Sequence, residues 1–248
     1  MPPPGPRYSV VVPAYDEEAL LPSTLESIRA AMATVPWAGE IVVCDNNSTD
    51  RTAEVARACG ARVVHEPHNQ IARARNTGAR AARGEWLVFV DADTLISPEI
   101  LGEALRLLES GTVAGGGSVF RMDCAGNRAG SGLVKAWNWI SRRFHVAAGS
   151  FLFARRDAFE EVRGFSLGVY AGEEVWLSRA LKRWGRKRDL GFRVLDRHPV
   201  ATSGRKMEWF PGWLLAGTFL LMTVFPFLSR SRTFCRIWYR RPAAARAS

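Results

Sequence analysis

A rhythm in the first 111 residues constrains this chain more than any other feature. Short β-branched apolar runs alternate with stretches at helical spacing. Residues 8–13 (YSVVVP), 40–44 (EIVVC), 62–65 (RVVH) and 86–90 (WLVFV) are such runs. Most lack polar alternation, as strands buried on both faces require. Between them, residues 18–33 place Leu21, Leu25, Ile28 and Met32 on one helical stripe. Ser48 is positioned to cap a helix running to Cys59 and ended by Gly60. Residues 70–82 form an Ala- and Arg-rich helix closed by Gly84, and Pro98 opens another that ends near Gly111. The pattern then loosens: 113–121 and 149–155 read as strands, 133–145 and 173–184 as helices. This order predicts an α/β fold with a mostly parallel central sheet and helices on both faces. Ligands of such sheets bind beyond the carboxyl ends of the strands.

Acidic residues stand at those ends. Asp45 starts DNNSTD directly after EIVVC, and Asp91 and Asp93 form DAD directly after WLVFV. Glu173 and Glu174 open a later helix. Two carboxylates one residue apart, on a turn after a buried strand, can reach one hard cation and its bound phosphates. A cation there neutralises a departing diphosphate. Taken alone, such an Asp equally caps the next helix; the ordered set of motifs favours the ligand reading.

VVPAYDEE, DNNSTDRT, RARNTGARAARGEWLVFVDADT and GSFLFARRDAFEEVRGF followed by GEEVW together resemble the family 2 glycosyltransferases. The resemblance spans residues 7–205, which it marks as the catalytic domain, and implies a GT-A type fold. It also implies transfer of a sugar from a nucleotide-diphosphate donor to an acceptor, usually with inversion, using Mg²⁺ or Mn²⁺. Pro13, Tyr15 and Glu17 then match the loop against the nucleoside, and Asp45 matches the acid on the base. Arg75 and Asn76 match the helix that closes over the nucleotide. Asp91 and Asp93 match the metal-binding DxD pair, with Asp91 also near the ribose. Gly149 and Ser150 match the segment beside donor sugar and acceptor, and Glu174 matches the general base. The family most often has Asp at that position. The longer Glu shifts the carboxylate, so Glu173 stands beside Glu174 as a rival base. His198, 24 residues beyond Glu174, matches a third metal ligand found in some members. The QxxRW motif of processive members is missing. Arg183-Trp184 lacks the Gln and reads as helix-end packing, so single-sugar transfer is expected.

Charge and hydropathy speak to partners. Residues 1–120 hold 10 basic and 15 acidic residues; residues 121–248 hold 24 and 9. Thirty of the 34 basic residues are Arg, a side chain suited to two-pronged phosphate contacts. A basic half of this kind fits an anionic membrane surface or a phosphorylated ligand. No aromatic-basic recognition motif supports nucleic acid. The cluster Lys182, Arg183, Arg186, Lys187 and Arg188 is a candidate headgroup contact. The cysteines at 44, 59, 124 and 235 have no CxxC spacing, which disfavours a zinc ribbon and suits a reducing compartment. MPPPGPR has no apolar h-region, so no signal peptide is expected.

Residues 206–248 read as an apolar helical appendage with an Arg-rich tail. Residues 209–229 carry no charge, and 21 helical residues would extend about 31 Å, a bilayer core's thickness. Pro211 and Pro226 leave 14 uninterrupted residues, and a six-Arg tail opposes a single outward span. An in-plane or re-entrant pair keeps Arg205, Lys206 and the tail on one side. The expected location is the cytoplasmic face of the inner or plasma membrane, monotopic or single-span, with a lipid-linked acceptor in reach. A buried helix or homodimer interface is the other use of such a stretch. Two other functions compete: a sugar-phosphate nucleotidyltransferase, disfavoured because PAYDEE replaces its Gly-rich loop, and a catalytically inactive membrane adaptor, disfavoured by the intact acids.

Overall fold

In the computed structural model the described residues are 5–122, 128–205 and 226–235, with Leu214, Gly217, Thr218 and Leu221. Residues 123–127 and most of 206–225 and 236–248 lie outside them, and with these the expected appendage and tail. Among the described residues no helix is long and apolar enough to cross a membrane.

The expected rhythm is present. β1 (Tyr8–Ala14), β2 (Gly39–Asp45), β3 (Arg62–His65) and β4 (Trp86–Val90) are joined through α1 (Leu21–Met32), α2 (Thr52–Ala58) and α3 (Ile71–Ala81). There follow β5 (Thr94–Leu95), α4 (Pro98–Glu109), β6 (Val113–Met122), α5 (Arg128–Phe144), β7 (Phe151–Arg155), α6 (Arg156–Glu161), α7 (Glu173–Arg186) and β8 (Gly191–Thr202). The eight strands form one sheet in the order β3-β2-β1-β4-β7-β6-β8-β5. β1, β2, β3 and β4 pair in parallel. The other half is mixed, because β7 runs antiparallel to both β4 and β6 while β6 and β8 are parallel.

Alternate strand residues feed two cores. Val10 and Val12 pack with Leu21, Leu25 and Ile28 of α1 and with Ile100, Leu101 and Leu105 of α4. Val11 faces the other way, against Ala72 and Ala79 of α3, Phe159 of α6 and Leu177 and Leu181 of α7. Strand order reverses between β1 and β4, so the loops after them diverge. Open α/β sheets usually bind ligands in the crevice at such a switch point, outside the carboxyl ends of the strands.

One local expectation is corrected, and two elements stand where no element was expected. Ser48 does not cap α2; its hydroxyl accepts from the Asp16 N–H at 3.0 Å, and the helix starts with Arg51 at its N-cap. β8 was not expected, because Arg193, Asp196, Arg197, His198 and Pro199 break the apolar pattern and a register shift interrupts its pairing. The short α6 falls inside a run with no helical stripe of its own.

Candidate active site

The floor of the crevice is built by cross-bonding the loops after β1 and β2. The Asp16 carboxylate accepts from the Thr49 N–H at 2.7 Å and holds Asp16 at φ 50°. The Glu17 N–H donates to Thr52 Oγ1 at 2.7 Å, and the Glu18 N–H to Asp50 Oδ2 at 3.1 Å. The DNNSTDRT run thus fastens the YDEE run. Asp45, at the tip of β2, accepts from the Ser48 N–H at 3.1 Å and lies 3.3 Å from His65 Nδ1. Pro13 is buried within β1, and Tyr15 sits half-buried just beyond the strand.

One guanidinium organises the other wall. Arg75, 1% exposed, projects from α3 beneath the crevice. Its Nη1 donates to Glu173 at 2.6 Å, and its Nη2 donates to Asp91 at 2.7 Å and to the Gly149 carbonyl at 2.8 Å. Burial alone would lower its pKa, but Asp91 and Glu173 outweigh that and keep it charged. Arg75 therefore joins three segments distant in sequence: the turn after β4, the lead into β7 and the start of α7. Gly149 packs closely here: a Cβ there would lie 3.2 Å from Arg75 Nη2, a tight approach, and 3.7 Å from Glu174 Cδ, an ordinary contact. Beside it the Ser150 hydroxyl is buried with no hydrogen-bond partner among the described residues.

Glu173 and Glu174 have separate fates. α7 begins after Gly172, held at φ 72°, a conformation that favours glycine. Glu173 points inward to Arg75 and is buried. Glu174 is half-buried, and its carboxyl is pushed up to about 8, first by burial and then by the neighbouring charge of Glu173. Such a proton-holding carboxyl beside ionised neighbours marks acid–base candidates.

Asp91 and Asp93 are partly open, at 26% and 21% side-chain exposure. Asp93 Oδ2 is held by Arg205 Nη2 at 3.2 Å, and the same nitrogen lies 2.9 Å from both Glu17 oxygens. Thr202 Oγ1 lies 3.4 Å from Asp93 Oδ1. These hard oxygen donors fit a Mg²⁺ or Mn²⁺ ion that arrives with a diphosphate. Such ions take one or two carboxylates and complete their shell with phosphate and water. Among the described residues there is no group of three or more His, Cys, Asp or Glu arranged to hold a metal without that help.

Two of the expected site residues stand apart from the acids. His198 is not brought to the acids: it lines a cleft of about 430 Å³ with Trp37, Glu99 and Arg106 against α4, because β8 bulges before reaching Asp93. Asn76 turns to the loop before α7. Its amide donates to the Phe165 carbonyl and accepts from the Phe165 N–H, both at 2.9 Å. Residues missed by the motif reading are Asp16, His65, Thr202 and Arg205. Arg205 was read as a membrane flank; nothing in its neighbours Gly204 and Lys206 signals an inward role. Trp184 packs as expected at the end of α7, donating to Glu161 at 2.8 Å beneath Arg188.

The model of glycosyl transferase family 2 matches residues 9–163. The chain belongs to that family. The motif order above is how the family shows in this sequence. Over 148 residues it is 35% identical to an undecaprenyl-phosphate 4-deoxy-4-formamido-L-arabinose transferase of Pseudomonas paraeruginosa, covering 56% of this chain and 40% of that protein. Over 106 residues it is 37% identical to a validoxylamine A glucosyltransferase of Streptomyces hygroscopicus subsp. limoneus, covering 40% and 23%. The curated relatives it matches are covered over 23% to 46% of their length. The fold resembles that of glucosyl-3-phosphoglycerate synthase from Mycobacterium tuberculosis, solved with Mn²⁺, UDP and glucosyl-3-phosphoglycerate. That match has a TM-score of 0.65 at 23% identity and covers 91% of this chain and 80% of the other. A mannosyltransferase from Pyrobaculum calidifontis, solved with GDP-mannose and Mn²⁺, matches with a TM-score of 0.65 at 22% identity, covering 92% and 64%. The GT-A type α/β fold is the one these structures share.

Proposed function

We propose that this family 2 glycosyltransferase moves a single sugar, with inversion, from a nucleoside diphosphate donor to an acceptor at the cytoplasmic face of a membrane. The observation that carries the reading is the Arg75 node, which gathers Asp91, Glu173 and the Gly149 carbonyl around one buried guanidinium. In this reading the nucleoside lies on the cross-bonded floor beside Tyr15, Glu17 and Asp45. Asp91 and Asp93 would hold the divalent ion, Arg205 releasing Asp93 as it enters. When bound, that ion supplies positive charge to the leaving diphosphate. The acceptor oxygen attacks the anomeric carbon, the bond from that carbon to the diphosphate breaks with its electron pair, and the acceptor proton passes to Glu174. Glu173, tied to Arg75, positions that helix rather than taking the proton. Glycine at 149 leaves room for the sugar, and the orphaned Ser150 hydroxyl offers it a hydrogen bond.

The lipid-linked acceptor is supported by the undecaprenyl-phosphate substrate in a relative's name, by the uncharged stretch at 209–229 and by the basic second half. Single transfer is supported by the missing processive motif. A thermal-shift series with nucleoside diphosphates, each with and without Mn²⁺ or Mg²⁺, tests the donor reading. Stabilisation that needs both nucleotide and ion is expected, since a ligand bound to the folded state alone raises its stability. No shift with any pairing would overturn it. The anomeric configuration of the product, read by NMR, tests inversion.

A further inference from the structure

The node and the floor leave α5 without a role, although α5 leads straight into the Gly149–Ser150 segment. Its outward residues are unusual. Trp139 and Phe144 are 59% and 53% exposed and stack edge to face at 6.3 Å. Lys135, Trp139, Arg142 and Arg143 recur at helical spacing on that same face, and all four are exposed. Arg143 lies 5.5 Å over the Phe144 ring. The end of α5 is fastened to α7 by Lys182, whose ammonium donates to the Phe144 carbonyl at 2.7 Å. From there the exposed Arg179, Arg183 and Arg186 of α7 extend the surface. Burial lowers the Lys182 pKa, and the charges of Arg179 and Arg186 lower it further, as crowded cations do. No Asp or Glu occurs between residues 124 and 156, or between 175 and 188. Among the described residues no ion pair joins Arg142, Arg143, Arg179, Arg183 or Arg186 to an acid; the pair of Arg188 with Glu161 lies just past the end of α7.

We propose that the outer face of α5, continued by Arg179, Arg183 and Arg186 of α7, docks on an anionic lipid bilayer, with Trp139 and Phe144 set among the headgroups. Aromatic rings flanked by Arg and Lys suit that layer, and the helix would lie in its plane. The negative surface draws in basic side chains within a Debye length. The end of α5 then holds the Val146–Ser150 lead-in at the bilayer, where Ser141 Oγ donates to the Val146 carbonyl at 2.6 Å and Ser178 Oγ accepts from the Ala147 N–H at 3.2 Å. A headgroup-level acceptor would meet the catalytic crevice directly. The surface is distinct from residues 209–229 and deepens the membrane reading above without resting on the donor chemistry.

Co-sedimentation of the full chain with vesicles tests it, using phosphatidylcholine alone and phosphatidylcholine mixed with phosphatidylglycerol. The wild type should bind the mixed vesicles selectively, and added salt should weaken binding. Arg142→Glu with Arg143→Glu should lower partitioning at least tenfold, given roughly fivefold for each basic side chain near such a surface. Trp139→Ser with Phe144→Ser should lower it several-fold with all charges retained. Every protein keeps residues 206–248, so these losses belong to α5. Both variants should keep the nucleotide-dependent thermal shift, which separates this proposal from the donor reading. Variants that partition like wild type would overturn it. So would equal binding to neutral vesicles, or binding to duplex DNA with none to either vesicle.

Discussion

Glu173 and Glu174 are adjacent and chemically alike, yet their surroundings give them opposite thermodynamic signs. Glu173 shares a buried guanidinium with Asp91, so Glu173→Gln removes one of its two charged partners. A loss of about 1.5–3 kcal/mol is expected in denaturant unfolding. Glu174 keeps its proton up to about pH 8 in the folded chain, against an ordinary value of 4.5. Between those values the folded state binds more protons than the unfolded state, so stability falls as pH rises across that window. Glu174→Gln removes the slope. The variant should melt a few degrees above wild type at pH 8 and almost level with it at pH 4.5, as differential scanning calorimetry would read. Its turnover should fall roughly 10²–10⁴-fold with donor affinity retained. In the wild type, kcat/KM should climb with pH up to about 8, because the base must first ionise. A similar argument applies at Asp93, where Arg205 occupies the carboxylate. Arg205→Gln should let Mn²⁺ alone raise the melting temperature more than it does in wild type, whereas Asp93→Asn should abolish both that effect and transfer.

At the scale of elements, legibility followed burial. β1, β2, β3 and β4 were readable because strands covered on both faces leave compact apolar runs. α1 and α4 were readable because their stripes meet one core. β8 was not, since its outward half is charged and its bulge breaks the period. The acids after β2 and β4 were legible through their place at strand ends. The role of Asn76 was not, because spacing puts a side chain on a helix but does not say which loop it meets. That loop carries its own prediction. Asn76→Ala leaves the Phe165 N–H and carbonyl unpaired in the interior, which should cost roughly 1–3 kcal/mol. Proteolysis should then nick residues 163–172 faster than in wild type. Retained resistance would mean that the Phe89–Phe165 ring contact, 5.0 Å between centroids, holds the loop by itself.

For the whole molecule, the segment at 226–235 returns to the catalytic domain. The Tyr170 N–H donates to the Ser229 carbonyl at 2.6 Å, and Cys235 is buried, its thiol pushed up to about 11 by burial and then by the Glu173 charge. A chain ending at Arg205 should therefore be more soluble and also melt lower, two effects separable by fractionation and calorimetry. Equal melting temperatures would show that the returning segment contributes no stability. The Arg75 node has a further consequence for anyone who recombines parts of these enzymes. The family match stops at residue 163, short of Glu173, while Arg75 lies well inside it. A chimera cut at that border would inherit the guanidinium from one parent and its acid from another. The segment that carries Arg75 and the segment that carries residue 173 should therefore be exchanged only together.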